Sequence, residues 1–575
     1  MTESSAHVET DASPSAYQQA FGASVFEQSS LNGCLNLTVR TADLSSVLQR
    51  LRDDAQFAFS QLVDVVGIDA SRLSRPHRFE VVYHLKSLKH AKRIMVRVCL
   101  PADAPECPSA AAIFSIANWL EREVYDQFGV VFAGHPNLKR LLNHKDFVGH
   151  PLRKDYDIAQ RQDFTTSEDL LDEMHVKLAT LGRAHTSARI ETFEHPHNMP
   201  APRADEQSLY LVNMGPSHPI VHGILRLLLA VEGETIVAAV PEIGYLHRGV
   251  EKGIEGGNYH QVIPYSDRLN YASPVMNNIG YCKAVEKMLG IQISERDALL
   301  RVILLEINRI MDHLLCSGPH LVDLGALTPF WYLFRIRERF YDILEKYSGA
   351  RLTYSCVRIG SMPFALYPEF YDEVESVLQA LVKSVDDVRG LVERNRIFYD
   401  RCHNVGVISQ ADALQYGFTG PCLRATGLEH DLRKSEPYYG YDQFDFSVVV
   451  GTSGDTYDRF FVRIYEIIES SKIVRQALAR LRALPESEAT DAKKAKGFKK
   501  VAPPTGEIYD SSEAANGELG FHIVSDGTAN PYRIKIRAPS LCNYSAIEHL
   551  VQGAMIADMV ATIGSLNVVG GEIDR

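Results

Sequence analysis

His218 and His222 stand four residues apart in MGPSHPIVHG, with an Ile-Val pair between them, so both imidazoles can reach one pocket. Arg248 follows in IGYLHRG, and Arg268 and Tyr271 close the same stretch in PYSDRLNY. Imidazole and phenol side chains hold protons that they can donate or share, and arginine carries a fixed positive charge. These groups lie among glycines and prolines, where Gly215-Pro216 and His218-Pro219 push the preceding residues towards extended backbone. Met214–Tyr271 therefore reads as shaped loops between apolar strands and helices, the usual place for polar chemistry. Taken singly, each histidine reads first as a hydrogen-bonded turn residue, and the residues alone name no reaction.

The elements that position this stretch follow from periodicity. Tyr210 is preceded by the start of a strand over Leu209–Val212, and Ile224–Val240 forms a hairpin turning at Gly233-Glu234. Beyond Tyr265 the chain turns helical. Ser294 opens a helix with a capping box and that helix runs to Cys316, where Gly318-Pro319 stops it. Thr328-Pro329 opens a further helix that Gly349 closes, and 368–398 and 456–484 form long helices, which together imply a bundle. Residues 485–518 read as a surface excursion and Gly520–Ala538 as a second hairpin, turning at Asp526-Gly527. On the bundle, Glu306 sits in the apolar LLEINRI, where a lone carboxylate is costly. A buried polar network of Arg268, Glu306, Arg309 and Asp312 accounts for it, with a salt bridge from Glu306 to Arg309 or Arg268.

Ahead of this lies a smaller unit. Leu44–Asp64 reads as a helix, Phe79–Lys86 and Lys92–Leu100 as strands joined by SLKHA, and Ile113–Phe128 as a helix ended by Gly129. The charges at Glu121, Arg122, Glu123 and Asp126 read as a solvated face. Two Gly-His-Pro triplets, at 134–136 and 149–151, bracket a short basic helix and form a docking tail. The division expected is an arm over 1–20 without fixed structure, an α/β scaffold domain over 21–160, a linker over 161–205, with a helix between Thr166 and Leu181, and a large domain over 206–575. The fold class is α+β: a long-helix bundle flanked by antiparallel hairpins, behind the small α/β domain.

Bulk properties narrow the function. The chain of 575 residues is 45% hydrophobic and 23% charged, with a formal net charge of −12, which speaks against a general nucleic-acid binder. Its apolar runs fall short of the length of a spanning helix, and the opening residues resemble neither a signal nor a transit peptide. Nine cysteines without a C-x-x-C pair form neither a disulfide framework nor a zinc or cluster ligand set. Phosphate-loop, H-E-x-x-H, G-x-S-x-G and dinucleotide signatures are absent.

MGPSHPIVHGILRL, IGYLHRGVEK, PYSDRLNY, VDLGALTPFW, GTSGDTYDR and GGEIDR resemble the D subunit of bacterial NADH:quinone oxidoreductase, respiratory complex I. EREVYDQFGVVFAGHP and GHPLRKDY resemble its C subunit, and the order matches the fused C/D subunit of some bacteria. The resemblance implies a fold related to the large subunit of nickel–iron hydrogenases. In that relative two cysteine pairs hold the metals, but IGYLHRG and VVGGEIDR contain no cysteine, so no metal is expected here. That absence also weighs against the first alternative, a membrane-bound hydrogenase large subunit. A second alternative is a non-catalytic scaffold of a related oxidoreductase.

What the resemblance implies instead is a quinone head-group site. Tyr271 and His222 match its donors, and Asp323 of the DLGA segment matches the partner of His222. His218 becomes a cavity-wall residue, and Arg248 lies towards an iron–sulfur cluster of the neighbouring B subunit, with a surface ion pair as its plainer role. Arg268 belongs to the same cluster-facing group. The implied partners are the B, G, I and membrane H subunits, at the cytoplasmic side of the bacterial inner membrane, and no cluster is ligated by this chain. Ser217 and Gly570 depart from the family, which often has glutamine and an aromatic there.

Overall fold

In a computed structural model the described residues are 14–31, 34–162, 169–182, 189–190, 209–218, 223–485 and 501–575. The chain divides into two compact units, residues 1–138 and 139–575. The segment 139–162, read above as the docking tail of the small domain, makes its contacts within the second unit. Lys154 there pairs with Glu255 at 2.8 Å and donates to the Tyr532 carbonyl at 2.5 Å, and Lys252 donates to the Arg153 carbonyl. The short basic helix expected between the Gly-His-Pro triplets does not form, since that stretch is turns and bends.

The first unit is built on a five-stranded sheet ordered Val25–Leu31, Cys34–Val39, Lys92–Leu100, Phe79–Ser87, Gln61–Asp69. All pairings are antiparallel except that of Cys34–Val39 with Lys92–Leu100. The helix expected over Leu44–Asp64 ends at Asp53, and Gln61–Asp69 is a fully buried strand. Four β-branched residues in QLVDVVGID fit a pleated, two-sided core better than a helix. Part of the arm expected over 1–20 is ordered as well, because Pro14–Phe21 is a helix whose Tyr17 stacks on Phe57.

The Ala117–Phe128 helix packs on this sheet so closely that a Cβ on Gly67 would meet the Phe128 ring at 2.6 Å. Gly129 ends the helix in the left-handed conformation, as the sequence suggests. Its charged cluster is not a solvated face: Glu121, Arg122, Glu123 and Asp126 are all buried. Glu121 accepts from the Tyr83 hydroxyl, Ser109 Oγ and the Ala110 N–H, and burial pushes its carboxyl up to about 7.

The second unit centres on the helix Glu295–Asp323, capped by Ser294, which packs against Thr456–Ala483 and Leu327–Ser348, the latter packing in turn on Phe370–Val392. Pro319 does not stop this helix. Gly318 lets the Phe334 and Phe330 rings lie against the helix, where a Cβ would be 2.7 Å from Phe334, and this packing holds the last turn through the proline. The next helix starts at Leu327 rather than at a Thr328 cap, and Arg396–Cys402 is separate from Phe370–Val392.

Two sheets flank the bundle, both built on antiparallel hairpins, the first with Arg189–Ile190 added in parallel at one edge. One includes Tyr210–Met214, Arg226–Glu232 and Thr235–Glu242, with the expected turn at Gly233-Glu234. The other is three-stranded, Gly506–Ala514, Gly517–Ser525 and Arg533–Arg537. The surface excursion expected over 485–518 is therefore shorter, because Gly506–Ala514 is almost wholly buried. Within the expected linker, Asp169–Thr180 is a helix burying Leu170, Met174 and Leu178. Among the described residues no helix is long and apolar enough to cross a membrane.

Candidate functional site

The tail Asn567–Arg575 lies between the two loops that carry the candidate residues. Asp574 holds the IGYLHRG loop through its carboxylate, which accepts from the Gly244 N–H at 2.9 Å and the Leu246 N–H at 2.7 Å. His247 Nδ1 is 2.7 Å from the Asp574 carbonyl and 3.0 Å from that of Arg575, so this nitrogen carries the hydrogen. Arg575 and Arg533 both reach Glu251. Burial would raise the Glu251 carboxyl, but the positive charges of Arg533, Lys535 and Arg575 outweigh it and hold it down at about 2.

Gly571 is where the tail meets the second loop. A Cβ there would stand 2.7 Å from the carbonyl oxygens of Arg268 and Leu269 and 3.2 Å from the Tyr271 ring. Arg248 spans the same junction, donating to the carbonyls of Arg268 at 2.8 Å and Gly571 at 3.4 Å. Among the described residues it makes no ion pair, so the plainer role read from the sequence is not what it does. Tyr271 is 43% exposed beside this junction, and its hydroxyl has no hydrogen-bond partner among the described residues. Burial of part of the ring raises its pKa, with Arg248 pulling the other way, so the phenol stays protonated at neutral pH and is a donor.

Beneath Tyr271 is a polar floor. Asp312, fully buried, accepts from Asn270 Nδ2 at 2.8 Å, Ser273 Oγ at 2.7 Å and Asn567 Nδ2 at 2.6 Å. The network expected around Glu306 thus splits in two. Glu306 does pair with Arg309, at 3.2 Å, and also with Arg433, Ser470 and Tyr441. Arg268 takes no part in either half: it is exposed and donates to the Pro264 carbonyl. Its position on the rim, two residues before the floor residue Asn270, keeps its guanidinium in water, where a charge costs least.

Asp323 ends the central helix, exposed, one turn beyond His320. Its Oδ2 lies 3.7 Å from where a Cβ on Gly564 would be, so the Ile556–Leu566 helix sits against it. His218 is half-buried in the turn after Tyr210–Met214. That turn needs Gly215 in the left-handed region, at φ +100, since a Cβ would collide with the Leu225 carbonyl at 1.9 Å. His222, and with it the expected pairing to Asp323, lies outside the described residues.

Several residues of this site were not singled out from sequence. GGEIDR drew notice for its missing cysteines, while its Asp574 anchors the IGYLHRG loop and its Glu572 is buried against Ser540 and Asn516. The signal available was composition: two carboxyls and an arginine in a short tail otherwise made of glycine and aliphatic residues. Asn516 and Asn567, one in a hairpin turn and one after a helix, gave no such signal.

A long-helix bundle flanked by sheets, following a small α/β unit, makes this an α+β protein consistent with the hydrogenase-large-subunit-like fold. Comparison with known proteins makes this specific. The family described as respiratory-chain NADH dehydrogenase, 49 Kd subunit, matches residues 323–575, and the corresponding 30 Kd subunit matches residues 37–162. The C/D subunit of NADH-quinone oxidoreductase from Bdellovibrio bacteriovorus is 44% identical over 94% of this chain and 95% of its own length. The C/D subunit from Acidiphilium cryptum is 38% identical over 92% of each chain. A D subunit of NADH-quinone oxidoreductase from Sorangium cellulosum is 48% identical over 64% of this chain and 95% of its own length. The chain belongs to the fused C/D subunit family of NADH-quinone oxidoreductase, and it is one of the subunits of that oxidoreductase complex.

Proposed function

We propose that the cleft between IGYLHRG, DRLNY and the GGEIDR tail receives a quinone head group, and that Tyr271 and His222 are its proton donors. Quinone becomes quinol by gaining two electrons and two protons, one proton on each carbonyl oxygen. Each oxygen gathers negative charge as the electrons arrive, and a donor already in place stabilises it. Tyr271 supplies one such O–H. His222 supplies the other, with Asp323 orienting the imidazole and favouring its charged form. Arg248, bridging the two loop–tail carbonyls, fixes the wall beside Tyr271 and brings a positive charge to the side from which electrons enter. Those electrons come from an iron–sulfur cluster of the neighbouring B subunit, and this chain ligates none. His218 lines the cavity. The small N-terminal unit serves as scaffold, and the G, I and membrane H subunits are further partners, at the cytoplasmic side of the inner membrane.

The observation that carries the reading is Tyr271: a protonated phenol, half-exposed and without a partner among the described residues, against a loop–tail junction with no room for a side chain at Gly571. The test is Tyr271→Phe in the assembled complex. Quinone reduction should fall by roughly 10²-fold or more, the usual weight of a positioned proton donor, while an artificial acceptor upstream is still reduced. Unchanged quinone reduction would make Tyr271 a structural residue and the chain a scaffold.

A further inference from the structure

Most buried carboxylates of the bundle face an arginine. Glu286 has Arg301, Glu306 has Arg309 and Arg433, Asp431 has Arg433, and Glu466 has Arg424. Glu572 in the tail is as deeply buried and has none among the described residues. Its Oε2 accepts from Ser540 Oγ and from Asn516 Nδ2 at 3.4 Å, while Oε1 has no partner among the described residues. A carboxylate so placed is far costlier than a carboxylic acid.

Glu572 is joined to a second carboxyl, that of Asp312, which pairs with no arginine among the described residues. Asn516 Oδ1 accepts from Asn567 Nδ2 at 2.6 Å, and the same nitrogen donates to Asp312 Oδ1 at 2.6 Å. Both ends of this chain adjoin Tyr271. Asn270, its neighbour in sequence, donates to Asp312, and Gly571, next to Glu572, packs on the Tyr271 ring.

The charged and titratable groups around the two acids do not supply the missing cation. Glu572 faces Asp312 from the central helix, which disfavours its ionisation, and the more weakly acting Arg537 from the Arg533–Arg537 strand. The Arg537 guanidinium is directed to Thr419 Oγ1 and to the carbonyls of Gly417 and Glu518. Asp312 acts on His313 and Cys316 of its own helix and on Tyr341 of the Leu327–Ser348 helix. Burial holds the Glu572 carboxyl up at about 7.

We propose that Glu572, bridged to the Asp312 carboxyl through Asn516 and Asn567, holds a proton beneath Tyr271, and that loss of this proton sets the pH range in which Tyr271 donates to quinone. Glu572 is a positioning residue in this scheme, acting through the charge it places under the phenol. When that proton leaves, the negative charge placed under Tyr271 makes its hydroxyl a weaker acid and slows donation. The inference rests on the quinone-site reading given above.

Quinone reduction by the whole complex, followed against pH with upstream electron entry as control, should fall along an alkaline limb centred near 7. Glu572→Gln fixes that position neutral and should move the limb upward by about one pH unit or more, a tenfold change in proton affinity. The carboxylic-acid C=O stretch in infrared difference spectra of the reduced and oxidised complex should disappear in the same variant. Ser540→Ala, which removes a hydrogen bond favouring the ionised acid, should shift the limb the same way and serves if the glutamine variant does not assemble. An unmoved limb in either assembled variant, or an unchanged C=O band in Glu572→Gln, overturns the Glu572 proton. If Tyr271→Phe spares quinone reduction, the underlying quinone site falls instead. If Tyr271→Phe abolishes it and the Glu572 and Ser540 variants behave as wild type, only the Glu572 proton falls.

Discussion

Glu466 shows what a single buried charge does in this bundle. It is reached by Arg424 at 2.7 Å and by His313 Nε2 at 2.9 Å, all three fully or almost fully buried. Burial alone would raise its pKa, but Arg424 and then His313 overcome this and hold the carboxyl down at about 2. A carboxyl lowered on folding stabilises the fold above its unfolded pKa and ceases to do so as pH falls through the folded value. The contribution of Glu466 should therefore be complete above about 4.5 and be lost between there and about 2. Glu466→Gln should destabilise the unit by about 3–5 kcal/mol, because Arg424 is left short of charge in the core. Thermal unfolding at neutral pH measures the loss, and the difference between variant and wild type should shrink as the pH is lowered through that window. The need for such partners was legible in the sequence, but not who supplies them. Glu306 on an apolar helix announced a counter-charge, and Arg309 three residues on was the local candidate. Arg433, its second partner, lies 127 residues away, and no spacing rule reaches that far.

Whole elements are positioned by contacts as tight as those at Gly571. Gly571→Ala would put a methyl group 2.7 Å from two backbone carbonyls that cannot move aside singly, so the tail must lift from the DRLNY loop. At Gly570 the same methyl would meet only Leu246 at 3.5 Å and the Ile224 nitrogen at 3.9 Å, ordinary contact. Quinone reduction should thus drop at least tenfold in Gly571→Ala and stay within about twofold in Gly570→Ala, with upstream electron entry intact in both, as paired assays of the two complexes would show. Elements of this kind were legible where one local rule decided them. The Ser294 cap, the Gly129 and Gly349 stops and the turn at Gly233-Glu234 each rest on the conformation of one or two residues. They were misread where tertiary packing overrode the local rule. Pro319 ought to end a helix, yet rings from the next helix hold it in place. Leu44–Asp64 looks periodic throughout, yet its last residues, from Gln61, are drawn into the buried edge strand of a sheet. The buried charges of Ala117–Phe128 look like a wet face, yet hydrogen bonds from Tyr83, Ser109 and Ala110 satisfy Glu121 inside.

At the scale of the molecule the first division of the chain falls near residue 138, and the segment after it is part of the larger unit. A fragment 139–575 should consequently melt at a higher temperature than a fragment 163–575, which lacks Lys154 and the Leu142 carbonyl that abuts Gly244. Scanning calorimetry of the two fragments would decide this, and equal midpoints would show that the segment contributes nothing. The cleft itself is closed by partners still further apart. Asp574 holds Gly244 across 330 positions and Leu246 across 328. On the ribosome, where synthesis runs from the amino end, the IGYLHRG loop waits for almost the whole of the larger unit to emerge before its anchor exists. A nascent chain stopped just short of the tail has the long helices of the bundle but no anchor for the IGYLHRG loop. A copy that stops before Asp574 lacks the carboxylate that holds the Gly244 and Leu246 N–H groups in place.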